Sequence, residues 1–380
     1  MTAHLMGRSW GRGERGVALV LVILGLLVVG AIISGVFVSA VLEHRTGQNA
    51  RPMEQAFAAA EHGLAETIAN WNIGTWNLLV AQESLPVSGV SPAGTGRYAG
   101  FVRRLSNELF LVDLTGVSAR GGARQRLAAY VKLRTPSMDI QAVLTTRGPS
   151  RIGGNAAIDG TDRQPPGWGA CPPAEPPTAG IRIPNAGDLT FLGGCAGATC
   201  ITGSPKVDAD PTISDATFFN YGDADWAALT ALASKQLPSG NYQQIWPRLK
   251  ADGTCDTAHP RNWGDPLTPS ACGNYFPIIH VNGDLTVNTG MGQGLLLVDG
   301  DLEAQGGFEF YGIVIVRGRL RTAGTGNKFT GGVLAANVLL DNNSLTGNVE
   351  LAYSSCAVLR AQQAAGVGTL LRSRGWMQVF

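Results

Sequence analysis

The sequence predicts an α+β fold in which a long N-terminal helix lies on a small antiparallel sheet and is followed by a mostly-β, right-handed solenoid-like domain. Three observations lead to this fold. Residues 17–42 form an uncharged apolar run, three segments between residues 98 and 134 have the alternating pattern of strands, and a strand–corner–strand pattern recurs every 17 to 19 residues between 279 and 339. With 51 glycines and 20 prolines among 380 residues, long helices are not expected to make up most of the chain.

The charge composition excludes one class of partner. Charged residues make up 15 % of the chain, and 29 basic residues almost balance 28 acidic ones, for a net charge of +1. A protein that binds nucleic acid through bulk positive charge is therefore excluded, and no nucleic-acid partner is expected. The 44 % hydrophobic content also excludes disorder over the whole chain.

The apolar run of residues 17–42 predicts a transmembrane helix, because about 20 apolar residues suffice to cross the hydrocarbon layer. A cleaved secretory signal is the alternative, but its apolar region is about 7–15 residues long and precedes a small-residue cleavage site. Here Glu43 follows the run directly. Basic residues precede the run and predict a cytoplasmic N-terminus with everything after Glu43 exported: Arg8, Arg12 and Arg15.

Apolar residues continue past the run at spacings of three and four, namely Met53, Ala56, Phe57, Ala60, Leu64 and Ile68. This spacing predicts an amphipathic helix to about Trp71. The two segments form one predicted helical region, residues 17–71, which we expect to bend near Pro52 because proline lacks the amide donor and its ring crowds the preceding turn.

Residues 15–19, Leu42 with Glu43 and Asn49, and residues 55–64 resemble the type IV pilin-like proteins, and within them the PilX-type minor pilins. The resemblance covers about residues 12–70. It implies a basic cytoplasmic leader, residues 1–16, that a prepilin peptidase removes between Gly16 and Val17, often followed by methylation of the new N-terminus. The helix residues to which it assigns a role in filament assembly are Leu21, Glu43, Asn49, Glu61 and Gly63.

The sequence departs from the pattern of major pilins at Leu21, where most of them carry glutamate at the fifth mature position. That carboxylate pairs with the N-terminal ammonium of a neighbouring subunit and offsets the cost of a lone charge in an apolar filament core. PilX-type pilins similarly lack it. Leu21 therefore favours a rare, priming or tip subunit, and it fits equally a membrane anchor that never polymerises.

The exported part divides into three regions. Residues 72–139 form a small sheet domain from strands at 98–105, 109–117 and 124–133, which would pack on the helix. Residues 140–360 form the solenoid-like head, with repeats at 279–285, 297–302, 315–320 and 334–339 and earlier copies at 140–160 and 187–191. Residues 361–380 are a C-terminal tail.

An irregular insertion, residues 161–275, interrupts the head and is rich in proline and cysteine. Its one helical signal covers residues 223–237, with Asp223 or Asp225 as the cap.

The six cysteines of the exported part are disulfide candidates: Cys171, Cys195, Cys200, Cys255, Cys272 and Cys356. Three bridges allow fifteen connectivities, of which local pairing of Cys195 with Cys200 and of Cys255 with Cys272 is the simplest. A zinc site is the alternative, but there is no CxxC pair and no histidine close to Cys195.

The sequence carries no catalytic motif of a known hydrolase, kinase or dinucleotide enzyme, and we expect a non-catalytic protein without cofactor or metal. Stacked β-coils also occur in polysaccharide enzymes, where clustered aspartates act, so a membrane-anchored β-helix enzyme acting on surface polysaccharide is the alternative. The candidates are Asp284, Asp299 and Asp301, whose Gly-Asp and Asp-Gly contexts favour a role in tight turns.

Aromatic residues concentrate in the insertion, where exposed rings would bind a glycan or a partner protein, and the candidates are Trp168, Trp246 and Trp263. A small core beneath the loops is the other interpretation.

The sequence thus predicts a minor pilin or pilin-like subunit for pilus assembly, tip formation or adhesion. Its expected partners are other pilin subunits, the assembly machinery, prepilin peptidase, inner-membrane lipid and a surface glycan or protein receptor. Its expected location is the bacterial inner membrane and then a pilus or the cell surface.

Overall fold

The computed structural model describes residues 15–94, 96–169, 171–222, 224–267, 270–337, 343–371 and 376–379. Residues 1–14 of the expected leader, Asp223 and positions 338–339 of the last repeat lie outside the described residues.

Within this part of the chain, the helices are α1 (Arg15–Ala69), α2 (Ile73–Trp76), α3 (Asp215–Phe219), α4 (Trp226–Ala231) and α5 (Ser355–Ala364). The strands are β1 (Ser84–Val90), β2 (Gly96–Arg104), β3 (Leu109–Ser118), β4 (Arg124–Arg134), β5 (Ala142–Thr146), β6 (Ser150–Ile152), β7 (Ala157–Asp159), β8 (Ala179–Ile183), β9 (Leu189–Phe191), β10 (Ile201–Thr202), β11 (Val207–Ala209), β12 (Asn220–Tyr221), β13 (Ala224–Asp225), β14 (Lys235–Ile245), β15 (Ile278–Val298), β16 (Leu302–Val316), β17 (Leu320–Ala323), β18 (Thr325–Ala335), β19 (Asn343–Leu345), β20 (Asn348–Tyr353), β21 (Val367–Leu370) and β22 (Trp376–Val379).

Helix α1 joins the predicted membrane span and the amphipathic segment in one uninterrupted helix that contains Pro52. In its first half, every large apolar side chain between residues 19 and 38 is at least 50 % exposed. In its second half the apolar face is buried against the small sheet, through Ala56, Ala59, Ala60 and Leu64. One helix therefore has an uncovered apolar half and a half that belongs to a folded core.

The small sheet has the order β1-β2-β3-β4, with β21 and β22 both pairing with β4, and every pair is antiparallel. The three predicted strands are confirmed as β2, β3 and β4, and β1 is an additional edge strand. Alternate side chains face α1 and form the core of this unit, including Val102, Phe110, Val112, Leu114 and Val131. This is the predicted arrangement of a helix on an antiparallel sheet.

The C-terminal segment departs from the expected tail. After α5, strands β21 and β22 return to the small sheet and pair with β4. Such a return joins segments far apart in sequence, which local patterns do not indicate. Both ends of the described chain therefore contribute to the unit that holds α1.

The head is a large, curled, parallel sheet, as the repeats predict. Leu285 pairs with Leu302 and Leu302 with Leu320, while Val298 pairs with Val316 and Val316 with Ala335. The recurrence of 17 to 19 residues is thus the length of one coil. Equivalent positions of successive coils lie next to one another, so their apolar side chains form rows that are buried in one continuous core.

The coils are not stacked in sequence order. Strand β5 pairs with β18 on one side and β8 on the other, β6 lies between β19 and β9, and β7 lies between β20 and β10. The first strand of the head, β5, therefore completes the same coil as its last strands, β19 and β20. The earlier copies expected near residues 140–160 and 187–191 are both in the stack.

The insertion is more regular than expected, because β8 to β11 extend the stack at one end and β14 extends it at the other. The helix expected over residues 223–237 is confined to α4, whose cap is Asp225: its carboxylate accepts a 2.8 Å hydrogen bond from the Ala228 amide. Leu237 lies in β14 instead, where it is buried in the head. Parallel pairing with β15 outweighs the helical spacing at this point.

All six cysteines form disulfides: Cys171–Cys356, Cys195–Cys200 and Cys255–Cys272. The two local pairings are those expected from the sequence. The third connects residues 185 positions apart and ties the insertion to the first turns of α5. This disulfide thus attaches the insertion to α5, the helix that leads back to the small sheet.

Candidate functional site

The first half of α1 is an apolar surface that no other described part of the protein covers. Leu21 is 62 % exposed, and residues 18–44 are long and apolar enough to cross a membrane. An apolar surface of this extent is unfavourable in water at about 25 cal/mol per Å². It therefore needs lipid or other apolar helices around it. Gly16 and Val17 lie in the first turns of this helix, while the side chains of Val17 and Asn49 lie outside the described part of the structure.

The other predicted assembly residues divide between surface and core. Glu43 and Glu61 are exposed on α1. Gly63 is buried at the junction with the sheet, where a β-carbon would lie 2.4 Å from Cγ of Tyr98. Glycine is needed here because the aromatic ring occupies the place of a side chain.

The junction is completed by a partly buried hydrogen bond. The Tyr98 hydroxyl donates to Oε2 of Glu66 over 2.6 Å, and His62 lies 3.3 Å from the same carboxylate. Burial, and to a smaller extent the hydrogen bond to Glu66 and its negative charge, together raise the pKa of Tyr98 to about 12. Two further glycines allow close approach: β-carbons at Gly96 and Gly116 would meet atoms of Ala59 and Ala56.

The aromatic candidates occupy three different environments. Trp263 is completely buried and packs on Phe308 with ring centroids 6.0 Å apart, so its proposed role in binding a partner is wrong and it belongs to the core. Trp246 is 36 % exposed. Trp168 is half-buried, and its indole donates a 2.6 Å hydrogen bond to the Pro266 carbonyl.

The aspartates at the corners of the head have structural partners. The carboxylate of Asp284 accepts a 2.8 Å hydrogen bond from the Asp301 amide, and that of Asp301 accepts one of 2.8 Å from the Arg319 amide. Each aspartate therefore fastens its corner to the corner of the next coil. Asp299 lies 2.8 Å from His280 and accepts a hydrogen bond from the Trp226 indole.

Within the described ranges, no group of three or more histidine, cysteine, aspartate or glutamate residues is placed to hold a metal ion. The corner aspartates follow one another along a ladder, and their oxygens accept backbone and side-chain hydrogen bonds. This arrangement matches the turn interpretation of their sequence context.

The sequence patterns missed the residue that joins the small sheet to the head. Asn77 Nδ2 lies within 3.2 Å of three backbone carbonyls at the end of α5, and its Oδ1 accepts a 2.8 Å hydrogen bond from the Trp71 indole. The carbonyls belong to Gln363, Ala364 and Gly366. The amide of Asn77 thus adds to the backbone donors of Ala365 and Gly366, which bond the carbonyls of Gln362 and Gln363, in satisfying the end of this helix.

No protein family and no curated protein sequence gives a significant match to the chain. Among solved structures, the chain matches the competence-associated pilin ComZ from Thermus thermophilus at 13 % identity over 86 % of this chain and 97 % of the other, with a TM-score of 0.25. A TM-score this low carries no argument about fold or function.

Proposed function

We propose that this chain is a pilin-like membrane protein, and more specifically a non-catalytic minor pilin of a type IV pilus or pseudopilus. The observation that carries the proposal is the division of α1. Its apolar first half projects uncovered from the protein, and its second half is packed on an antiparallel sheet through Ala56, Ala60 and Gly63. A helix of this kind holds a folded domain outside a membrane and offers the same apolar surface to neighbouring helices.

The chain is inserted with its basic N-terminus in the cytoplasm and is cut by prepilin peptidase between Gly16 and Val17. This step is supported by the resemblance of residues 12–70 and by the arginines ahead of the apolar run. Methylation of the new N-terminus follows. The mature helix then passes from the bacterial inner membrane into a filament.

Leu21 determines the place of the subunit in that filament. Without a carboxylate at this position, the helix offers no partner to the N-terminal ammonium of a neighbouring subunit. The subunit is therefore rare and acts at the tip or in priming, with other pilins and the assembly machinery as partners. Its solenoid head is displayed outward for assembly contacts or for adhesion to a surface glycan or protein.

The N-terminus of the protein, recovered from membranes and from sheared surface filaments and measured by mass spectrometry, tests this function. We expect a start at Val17, methylated, and retention of the leader in Gly16→Asp. Gly13→Asp changes a neighbouring leader glycine and is expected to leave the cut unaltered. An intact leader in the wild-type protein, or a cut beyond Leu42, would remove the pilin mechanism.

A further inference from the structure

A cavity of about 510 Å³ lies between the small sheet and the head, at the end of the sheet away from the apolar half of α1. Its walls come from residues 77–81 before the sheet, residues 166–169 of the insertion and one side of α5. The volume lies within the range of small-molecule sites, about 300–1,000 Å³. The disulfide Cys171–Cys356 and the hydrogen bonds of Asn77 fix two of these walls in place.

Two arginines line the cavity. The guanidinium of Arg104 lies over the ring of Phe110, 5.4 Å from its centroid, and all of its described hydrogen bonds go to neutral backbone carbonyls. Those carbonyls belong to Asn77, Leu79, Ser106 and Asn107. Arg104 thus organises the loops of the sheet, and among the described residues no carboxylate pairs with its charge.

Arg360, on α5, is the arginine with more unused donors. Its guanidinium lies 4.8 Å from the ring centroid of Trp168 and 5.9 Å from that of Phe276, and one of its amines donates to the Gly169 carbonyl. That bond uses one of five N–H groups, and the described residues provide no hydrogen-bond acceptor for the other four. Stacking on the aromatic rings holds the guanidinium plane in a fixed orientation.

The two positive charges are close enough to affect each other. Burial lowers the pKa of Arg104 and the charge of Arg360 lowers it further, while burial alone lowers the pKa of Arg360. Within the described residues, neither guanidinium has a carboxylate at ion-pair distance. The carboxylate of Asp265, which also lines the cavity, accepts a 2.6 Å hydrogen bond from Ser270.

We propose that this cavity binds a small organic carboxylate, with the guanidinium of Arg360 as the main anchor and the positive field of Arg104 behind it. A planar carboxylate fits the paired N–H groups of a guanidinium. The remaining wall is mixed, with Leu79 and Leu359 as apolar contacts and Asn107, Ser270 and Asn274 as polar ones. The carboxylate comes from an acidic sugar or from the free end of a short peptide. This inference does not depend on the pilin function.

Calorimetric titration of the full-length protein in detergent tests the site with three probes: digalacturonate, a tripeptide with a free C-terminus, and inorganic phosphate. We expect one of the two carboxylates to bind, and its affinity identifies the source. The amide of the bound carboxylate should bind at least about tenfold more weakly, because it has no negative charge to pair with the guanidinium. Because this comparison uses the wild-type protein, it holds even where a variant fails to fold.

Arg360→Gln should weaken binding of the carboxylate by at least about tenfold, and Arg360→Lys by less. Arg317→Gln is the matched control, because Arg317 also stacks on a tryptophan, Trp226, but lies outside the cavity. Four results would overturn the proposal: no carboxylate binding, binding of phosphate alone, equal affinity for the amide, or equal loss of affinity in Arg317→Gln.

Discussion

The ring of Tyr98 fills the space beside Gly63 that a side chain would otherwise occupy, and the two residues lock α1 to the small sheet. Hydrogen bonding of the Tyr98 hydroxyl to Glu66, one turn further along the helix, closes the same contact. This contact lies where the apolar half of α1 meets the folded core, so the helix and the sheet are joined directly at this point.

Gly63→Ala should destabilise the protein. A β-carbon at this position would lie 2.4 Å from the Tyr98 ring, and such overpacking costs about 1–3 kcal/mol, of which alanine recovers up to about 1 through its helix propensity. We expect a net loss of up to about 2 kcal/mol in urea unfolding followed by circular dichroism. Gly47→Ala, on the same helix with nothing within 4 Å, should be neutral or slightly stabilising. Equal effects of the two changes would contradict the packing argument.

The Tyr98 hydroxyl should titrate only at high pH. Its folded pKa, about 12, exceeds the ordinary value of 10.0, so its contribution to stability is complete below pH 10 and is lost as the pH rises towards 12. Glu66→Gln removes the negative charge and should lower this pKa, although burial keeps it above 10. The ¹³Cζ resonance of labelled tyrosine, assigned with Tyr98→Phe, reports it. Glu61→Gln, an exposed site on the same helix, should leave the titration unchanged.

Asn77→Ala should loosen the connection between sheet and head. The change removes the side-chain donor from the carbonyls of Ala364 and Gly366 and the acceptor from the Trp71 indole, while the Gln363 carbonyl keeps the Gly366 amide. Each buried group left unsatisfied costs about 1–3 kcal/mol. Asn77→Asp should be worse, because a carboxylate would face the carbonyl oxygens. Hydrogen exchange over residues 355–371 should show faster exchange in both variants. Asn72→Ala, where the side chain makes no capping bond, is the control and should preserve protection.

The disulfide Cys171–Cys356 should contribute more stability than Cys195–Cys200. Their sequence separations are 185 and 5, and the chain-entropy argument predicts that the longer closure contributes about 3 kcal/mol more. Paired serine variants of each bridge, compared by urea unfolding, check this order. A larger loss from the short bridge would indicate that constraint of the unfolded chain is not the main effect.

The sequence was sufficient wherever structure depends on residues close together. Apolar spacing located both halves of α1, and the recurrence around Leu285, Leu302 and Leu320 predicted the coils in their register. Local sequence patterns could not predict the contacts between segments that are far apart in the sequence. Nothing near Leu237 shows that a parallel strand lies beside it. A tryptophan in a loop gives no sign of its burial, so the sequence leaves both partner binding and a place in a core open for Trp263.

The candidate sites divide along the same line. The resemblance implies a role of Gly63 in filament assembly, whereas the packing role that the structure gives it depends on Tyr98, which lies in β2. Arg104, Arg360 and Asn77 belong to no recognisable pattern, because the cavity and the joint exist only once the sheet and the head come together.

The shared coil of the head has a consequence for the order of folding. The strand that opens the head, β5, can pair with its neighbour β18 only once nearly 200 further residues of the polypeptide are available, and β4 gains β22 later still. Neither sheet can therefore be completed progressively from the N-terminal side. The last strands to be synthesised close both units, so the head and the small sheet reach their final form together.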